Sequence, residues 1–170
     1  MASTTLKQLK KQDRRAAMAV LVAVMLVVFV AMAAFSVDVA RMQLVQTELR
    51  AATDASARAG AEALSRTQSG SAAVQAAIDA AARNRTAGAP LLLASDDVVL
   101  GASTLQADGS WAFTAGVQPY TAVRVSGKRT ASSQSGEVAL FFGPLLNVDS
   151  FAPVRVSTAS QLDQIGRAHV

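Results

Sequence analysis

Between Arg15 and Asp38 the chain reads AAMAVLVAVMLVVFVAMAAFSV, 22 residues without a charge. As an α-helix this stretch would extend about 33 Å, which matches the hydrocarbon core of a bilayer. Eleven of its residues are Val, Leu or Phe. At about −0.3 to −0.6 kcal/mol each, they contribute roughly −3 to −7 kcal/mol of insertion free energy with no charge opposing it. A soluble helix of that length would carry a polar stripe, and this one carries none. The Ala31-Met32-Ala33 triplet has the form of a signal-peptide cleavage site, but the apolar region is longer than the 7 to 15 residues usual for a signal peptide. The expectation is a retained anchor. The alternative is a secreted β-rich adhesin or enzyme released by cleavage near Ala33.

The charge pattern orients the segment. Lys7, Lys10, Lys11, Arg14 and Arg15 all precede it, with Asp13 among them, and Asp38 follows at once. The positive-inside rule then places the N-terminus in the cytoplasm and exports the rest across the inner membrane, into the periplasm. Those fifteen residues hold the whole net charge of +4, leaving eleven basic and eleven acidic residues beyond them. A nucleic-acid binder concentrates its excess charge on the folded domain, so no nucleic-acid partner is expected. With no cysteine and a single histidine, His169, thiolate chemistry is excluded and a histidine base has one candidate. His169 lies in the terminal IGRAHV, residues 165–170, which resembles a translated sequencing adapter and is not expected to belong to the fold. The natural chain is expected to continue beyond Gln164.

Residues 38–66 contain no proline and are rich in Ala, Leu, Arg, Glu and Gln, so the helix should continue past the bilayer. Val39, Met42, Val45, Leu49, Ala52, Ser56, Ala59 and Ala63 alternate spacings of three and four and form one face. That face either covers the chain's own domain or forms a coiled-coil seam for a homo-oligomer. Its distal residues are small enough for close packing against a sheet or a second helix. Asp54 with Arg58 and Glu62 with Arg66 are acid-first i, i+4 pairs on other faces. A TQSGS turn separates this helix from a second one expected over 72–85, which stops before Gly88 and Pro90.

Beyond residue 90 the period changes to two. Strands are predicted at 91–94, 97–102, 111–117, 122–128, 137–142 and 154–159. In AVRVSGKR, Val123 and Val125 oppose Arg124 and Ser126, and PVRVSTAS repeats the alternation with Val154 and Val156 opposite Arg155 and Ser157. One buried and one solvated face imply an antiparallel sheet, covered by the long helix in an α+β layer, pilin-like or sandwich-like. LFFGPLL, the most hydrophobic stretch after the span, reads as core or a packed turn; exposed, it would mark a partner surface.

Catalytic motifs fail on inspection. GKRT at 127–130 resembles the end of a phosphate-binding loop, but Ala122 stands where that loop needs glycine. Asp96 and Asp97 are adjacent, so on a strand they would point to opposite faces and read as a turn or strand start instead of a metal site. There is no Gly-x-Ser-x-Gly elbow. No catalytic residue, cofactor or metal is expected, and the chain reads as a non-enzyme.

These segments resemble a known family. VDVAR at 37–41 is similar to the "aVDvgr" exit sequence of TadE/TadG-like Flp pilus-assembly proteins of the tight-adherence system, and TELRAATDASARAGA at 47–61 to the helix that follows it. AVRVSGKR and VALFFGPLLNVDS resemble the exported part of TadG-like chains, so the likeness runs over residues 14–160. Ala16 replaces the glycine common after the arginines, and no acidic residue occurs between Asp13 and Asp38. That pattern resembles TadG-like anchors more than prepilin-processed TadE-like pseudopilins. Some TadG-like chains continue into a von Willebrand A domain, whose Asp-x-Ser-x-Ser motif is not in this sequence.

The organisation expected is a cytoplasmic tail (1–15), a transmembrane helix (16–37), an exported helical region (38–88), an exported antiparallel β region (89–160) and a tail (161–170). The resemblance implies a bitopic inner-membrane accessory of pilus assembly. Its partners would be membrane lipid and other pilus-assembly proteins, with a homo-oligomer through the exported helix as a further option.

Overall fold

The computed structural model describes the backbone of residues 2–161 and side chains from residue 17 to 161. His169 and the 165–170 stretch lie outside the described residues, as do the side chains of Lys7, Lys10, Lys11, Arg14 and Arg15. One helix, α1 (Ala2–Thr67), takes in the basic segment, the apolar segment and the expected exported helix, 66 residues in all and about 99 Å long. No proline interrupts it, and its most apolar 18-residue window is 0% buried. It ends at Gln68, which takes a left-handed φ of 52° while its amide donates to Leu64 O at 2.9 Å. Ser69 then caps α2 (Gly70–Arg83) by accepting from the Ala72 amide. The second helix therefore starts two residues earlier than its apolar period suggested, because the serine side chain supplies the missing partner for an end amide.

After α2 come a tight hairpin of β1 (Arg85–Thr86) and β2 (Ala89–Pro90), then β3 (Val98–Leu105), β4 (Trp111–Ala115) and β5 (Ala122–Lys128). A small hairpin, β6 (Val138–Ala139) with β7 (Ser150–Phe151), precedes β8 (Val154–Ser160). The main sheet is antiparallel in the order β4-β3-β5-β8 and curls as a half-barrel around the helices. The α+β class and the antiparallel sheet agree with the sequence reading.

The core lies where α1, α2, β3 and β5 meet. Leu49, Leu64, Leu91, Val123 and Val125 are its largest fully buried side chains. Alanines do most of the helix–helix packing: Ala57 and Ala61 of α1 against Ala73, Ala77 and Ala81 of α2. Gly60 sets the approach, since a Cβ there would stand 3.1 Å from Ala73 O and 3.0 Å from a Val123 methyl. Small residues trade buried area for proximity, and the proximity recovers dispersion contacts.

Three expectations are corrected. Residues 91–94 form no strand; Leu91 and Leu93 are buried, yet the Leu91 amide donates to Asn84 O and the Leu92 amide to Ser135 Oγ, so the segment is extended without a ladder. The strand expected at 137–142 shrinks to β6, because Phe141 and Phe142 leave the hairpin. Val154 and Val156 point outward, not into the core. Register decides this last case: Arg155 lies opposite Gly127, Ser157 opposite Val125 and Ala159 opposite Val123, and residues directly opposite share a face.

Arg129, 7% exposed, joins the periphery to this core. Its guanidinium donates to Thr86 O and Oγ1, Ser135 O and Gly136 O. Burial lowers its pKa from the usual arginine value, and it stays charged because that starting value is so high.

Candidate functional site at the helix exit

Asp38 follows the apolar segment directly and is only 6% exposed. A carboxylate at such a place needs donors. It has two: Oδ1 accepts from the Phe141 amide at 2.8 Å and Oδ2 from the Phe142 amide at 2.9 Å. Arg41 lies three residues on and so faces the same way. Its Nε donates to Ala139 O at 3.1 Å, and its guanidinium carbon lies 4.4 Å from the centre of the Phe141 ring. Hydrogen bonds to a charged partner contribute about 1.5–3 kcal/mol each. The exit of the apolar segment is thereby fastened to a hairpin a hundred residues later in the chain.

A second, polar contact lies further along α1. Arg155 on β8 donates to Gln46 Oε1, and Arg155 and Val156 border a cleft with Arg50, Thr53 and Asp54. Among the described residues no three of His, Cys, Asp and Glu lie together as metal ligands would. Asp97 is engaged twice, accepting the Ala94 amide through Oδ2 and Lys128 Nζ through Oδ1 at 2.6 Å. These arrangements hold chain segments together, and their donors and acceptors are used in doing so.

The residues of the expected packing face are placed as follows. Val45, Leu49, Ala52 and Ser56 are buried, whereas Val39, Met42, Ala59 and Ala63 are half-buried. Further on, the buried stripe moves to Ala57, Gly60, Ala61 and Leu64. A seven-residue repeat slips by about 20° per heptad on a straight helix, so residues chosen at that spacing turn off the packed side. What covers the stripe is the chain itself, through β5, β8 and α2. In the sequence Asp38 is visible only as the acidic residue that follows the apolar segment, and its amide partners lie too far along the chain to be read from it. The signal available was a pair of aromatics ahead of Gly143-Pro144.

The family model described as Tad-like Flp pilus-assembly matches residues 59–159. The chain belongs to the Tad-like Flp pilus-assembly family. A second family model, Flp pilus-assembly TadE/G-like, matches residues 16–63. The two matches overlap within α1 at residues 59–63: the TadE/G-like part takes the apolar segment, the exit and most of the packed length of α1, and the Tad-like part takes the end of α1, α2 and the sheet. No curated protein and no solved structure matches this Tad-like chain. Its pilus-assembly membership, the tight-adherence system and the candidate membrane-spanning helix agree with the sequence reading. The family places it among pilus-assembly components, with other such components as the partner class.

Proposed function

We propose that the protein is a bitopic inner-membrane accessory of Flp pilus assembly, with a cytoplasmic N-terminus and a periplasmic α+β domain. It acts by holding partners at the membrane surface and catalyses no reaction. The observation that carries this reading is the continuity of α1: an apolar segment with exposed large side chains runs without a break into the helix that organises the folded region's core. Lipid contacts the span. Pilus-assembly partners meet surfaces other than the Val45–Leu49–Ala52–Ser56 stripe, because that stripe is buried in the chain's own fold. Self-association, where it occurs, uses those other surfaces too.

Mass spectrometry of the membrane-extracted protein tests the anchor. An N-terminus upstream of the span is expected, and one at Ala34 or Phe35 would establish the secreted alternative instead. A deletion strain should lose surface adhesion, and normal adhesion would refute the assembly role.

A further inference from the structure

The β6–β7 hairpin carries its tip, residues 140–148, back alongside the last turns of the apolar segment. There LFFGPLLNV has no charged residue, and its large side chains face outward: Phe141 is 62% exposed, Leu145 81% and Leu146 72%. Ala31, Ala34 and Phe35 of α1 share with Leu145, Leu146 and Val148 an apolar groove of about 290 Å³. Large apolar side chains are rarely left together in water. Here the neighbouring surface is itself the candidate span, so the patch continues the surface that lipid covers.

We infer that this loop is a second membrane contact, inserting beside α1 into the leaflet through which the helix emerges; this rests on the bitopic reading above. Depth follows from helix geometry. If Asp38 marks the water boundary, Phe35 and Ala31 lie about 5 and 10 Å below it, the depth at which interfacial apolar faces settle. Six of the eight amides between 140 and 148 are bonded within the chain. Irregular chain within a bilayer must satisfy its own polar groups. The amides of Phe141 and Phe142 donate to Asp38, Leu140 to Asp149 O, Leu145 to Phe142 O, Asn147 to Pro144 O and Val148 to Gly143 O, while Pro144 has no amide to satisfy. Asp38 is thus the acceptor that lets two amides enter beside the span, and Leu145, Leu146 and Phe141 supply the inserted surface.

The chain has no native cysteine, so single labels report cleanly. Full-length protein carrying Leu145→Cys, Leu146→Cys, Phe29→Cys or Leu105→Cys is labelled with a nitroxide and reconstituted in phosphatidylethanolamine–phosphatidylglycerol vesicles. Relaxation by dissolved oxygen is compared with relaxation by a water-soluble nickel chelate. The labels at 145 and 146 should show several-fold higher preference for oxygen than the label at 105, and lie shallower than the label at 29. Aqueous signals at 145 and 146 beside a lipid signal at 29 would overturn the inserted loop and leave the anchor standing. An aqueous signal at 29 would overturn both. Leu145→Asp with Leu146→Asp should keep the chain in the membrane through α1 and move the label of Phe141→Cys into water; an unchanged label there would also refute the insertion.

Discussion

Gly127 offers the sharpest test of how α1 lies on the sheet. A Cβ on this residue would stand 2.1 Å from Thr53 Oγ1, 3.3 Å from Thr53 Cβ and 3.2 Å from a Leu49 methyl. The first distance is more than about 1 Å inside van der Waals contact. Thr53 is fully buried and its hydroxyl donates to Leu49 O at 2.7 Å. Turning the hydroxyl away gives up that bond, and Thr53 Cβ still crowds the new carbon. Gly127→Ala should therefore cost about 1–3 kcal/mol for overpacking and about 1 kcal/mol for the hydrogen bond, less about 0.4–1 kcal/mol from a stiffer unfolded chain. The net is a loss of about 1–3.5 kcal/mol with a middle value of about 2 kcal/mol, or roughly 10 °C in Tm for a domain of this size. Thr53→Ala removes the obstructing oxygen. In that background Gly127→Ala should be close to neutral, a coupling of about 2 kcal/mol where independent sites add within about 0.3–0.5 kcal/mol. Thermal unfolding of the detergent-solubilised full chain, followed by circular dichroism across the four-member cycle, measures it. Strictly additive losses would show that α1 does not lie on β5 at this point.

Asp38→Ala should leave the Phe141 and Phe142 amides unpaired, a local loss of about 2–4 kcal/mol, visible as faster hydrogen exchange in 140–148; Asp38→Asn keeps one acceptor oxygen and should lose less. Arg129→Met should cost about 3 kcal/mol in thermal unfolding, because several oxygens around 86 and 135–136 lose a charged donor together, and a change under 1 kcal/mol would count against the buried cluster. Ala87 turns the β1–β2 hairpin at φ 53°, a left-handed conformation that asparagine tolerates better than alanine. Ala87→Asn should therefore stabilise by about 1 kcal/mol, raising Tm by a few degrees.

Much of this architecture is legible in the sequence wherever one physical demand dominates. The apolar segment follows from its uncharged length, the helix beyond it from its helix-forming composition and β5 from its alternation of two, although the buried stripe of the long helix drifts from Val45, Leu49, Ala52 and Ser56 to Ala57, Ala61 and Leu64. Strand β8 shows where the reading fails. Its valines mark one face by hydropathy, but α1 lies so close that the inner face takes Arg155 opposite Gly127, Ser157 opposite Val125 and Ala159 opposite Val123, with Arg155 reaching along α1 to Gln46. Closeness outranked apolarity there, and closeness is set by a partner element far away in sequence. The same holds for the exit: Asp38 is visible as an acidic mark after the span, but its partners sit 103 and 104 residues later. LFFGPLL reads in the sequence as core or a packed turn, or if exposed as a partner surface, and its leucines at 145 and 146 face outward because the hairpin turns back toward an apolar helix surface.

The unbroken α1 has a mechanical side. A helix without proline is stiff in torsion as well as in bending, so it transmits angle along with position. One residue added between the apolar segment and Val45 would turn the sheet by about 100° around the helix axis and lift it by about 1.5 Å. Seven would return it to within about 20° of its bearing, roughly 10 Å further out. The compass direction in which the folded region faces its neighbours is therefore counted out in residues along this helix, much as the thread of a screw fixes both the height and the heading of whatever it carries.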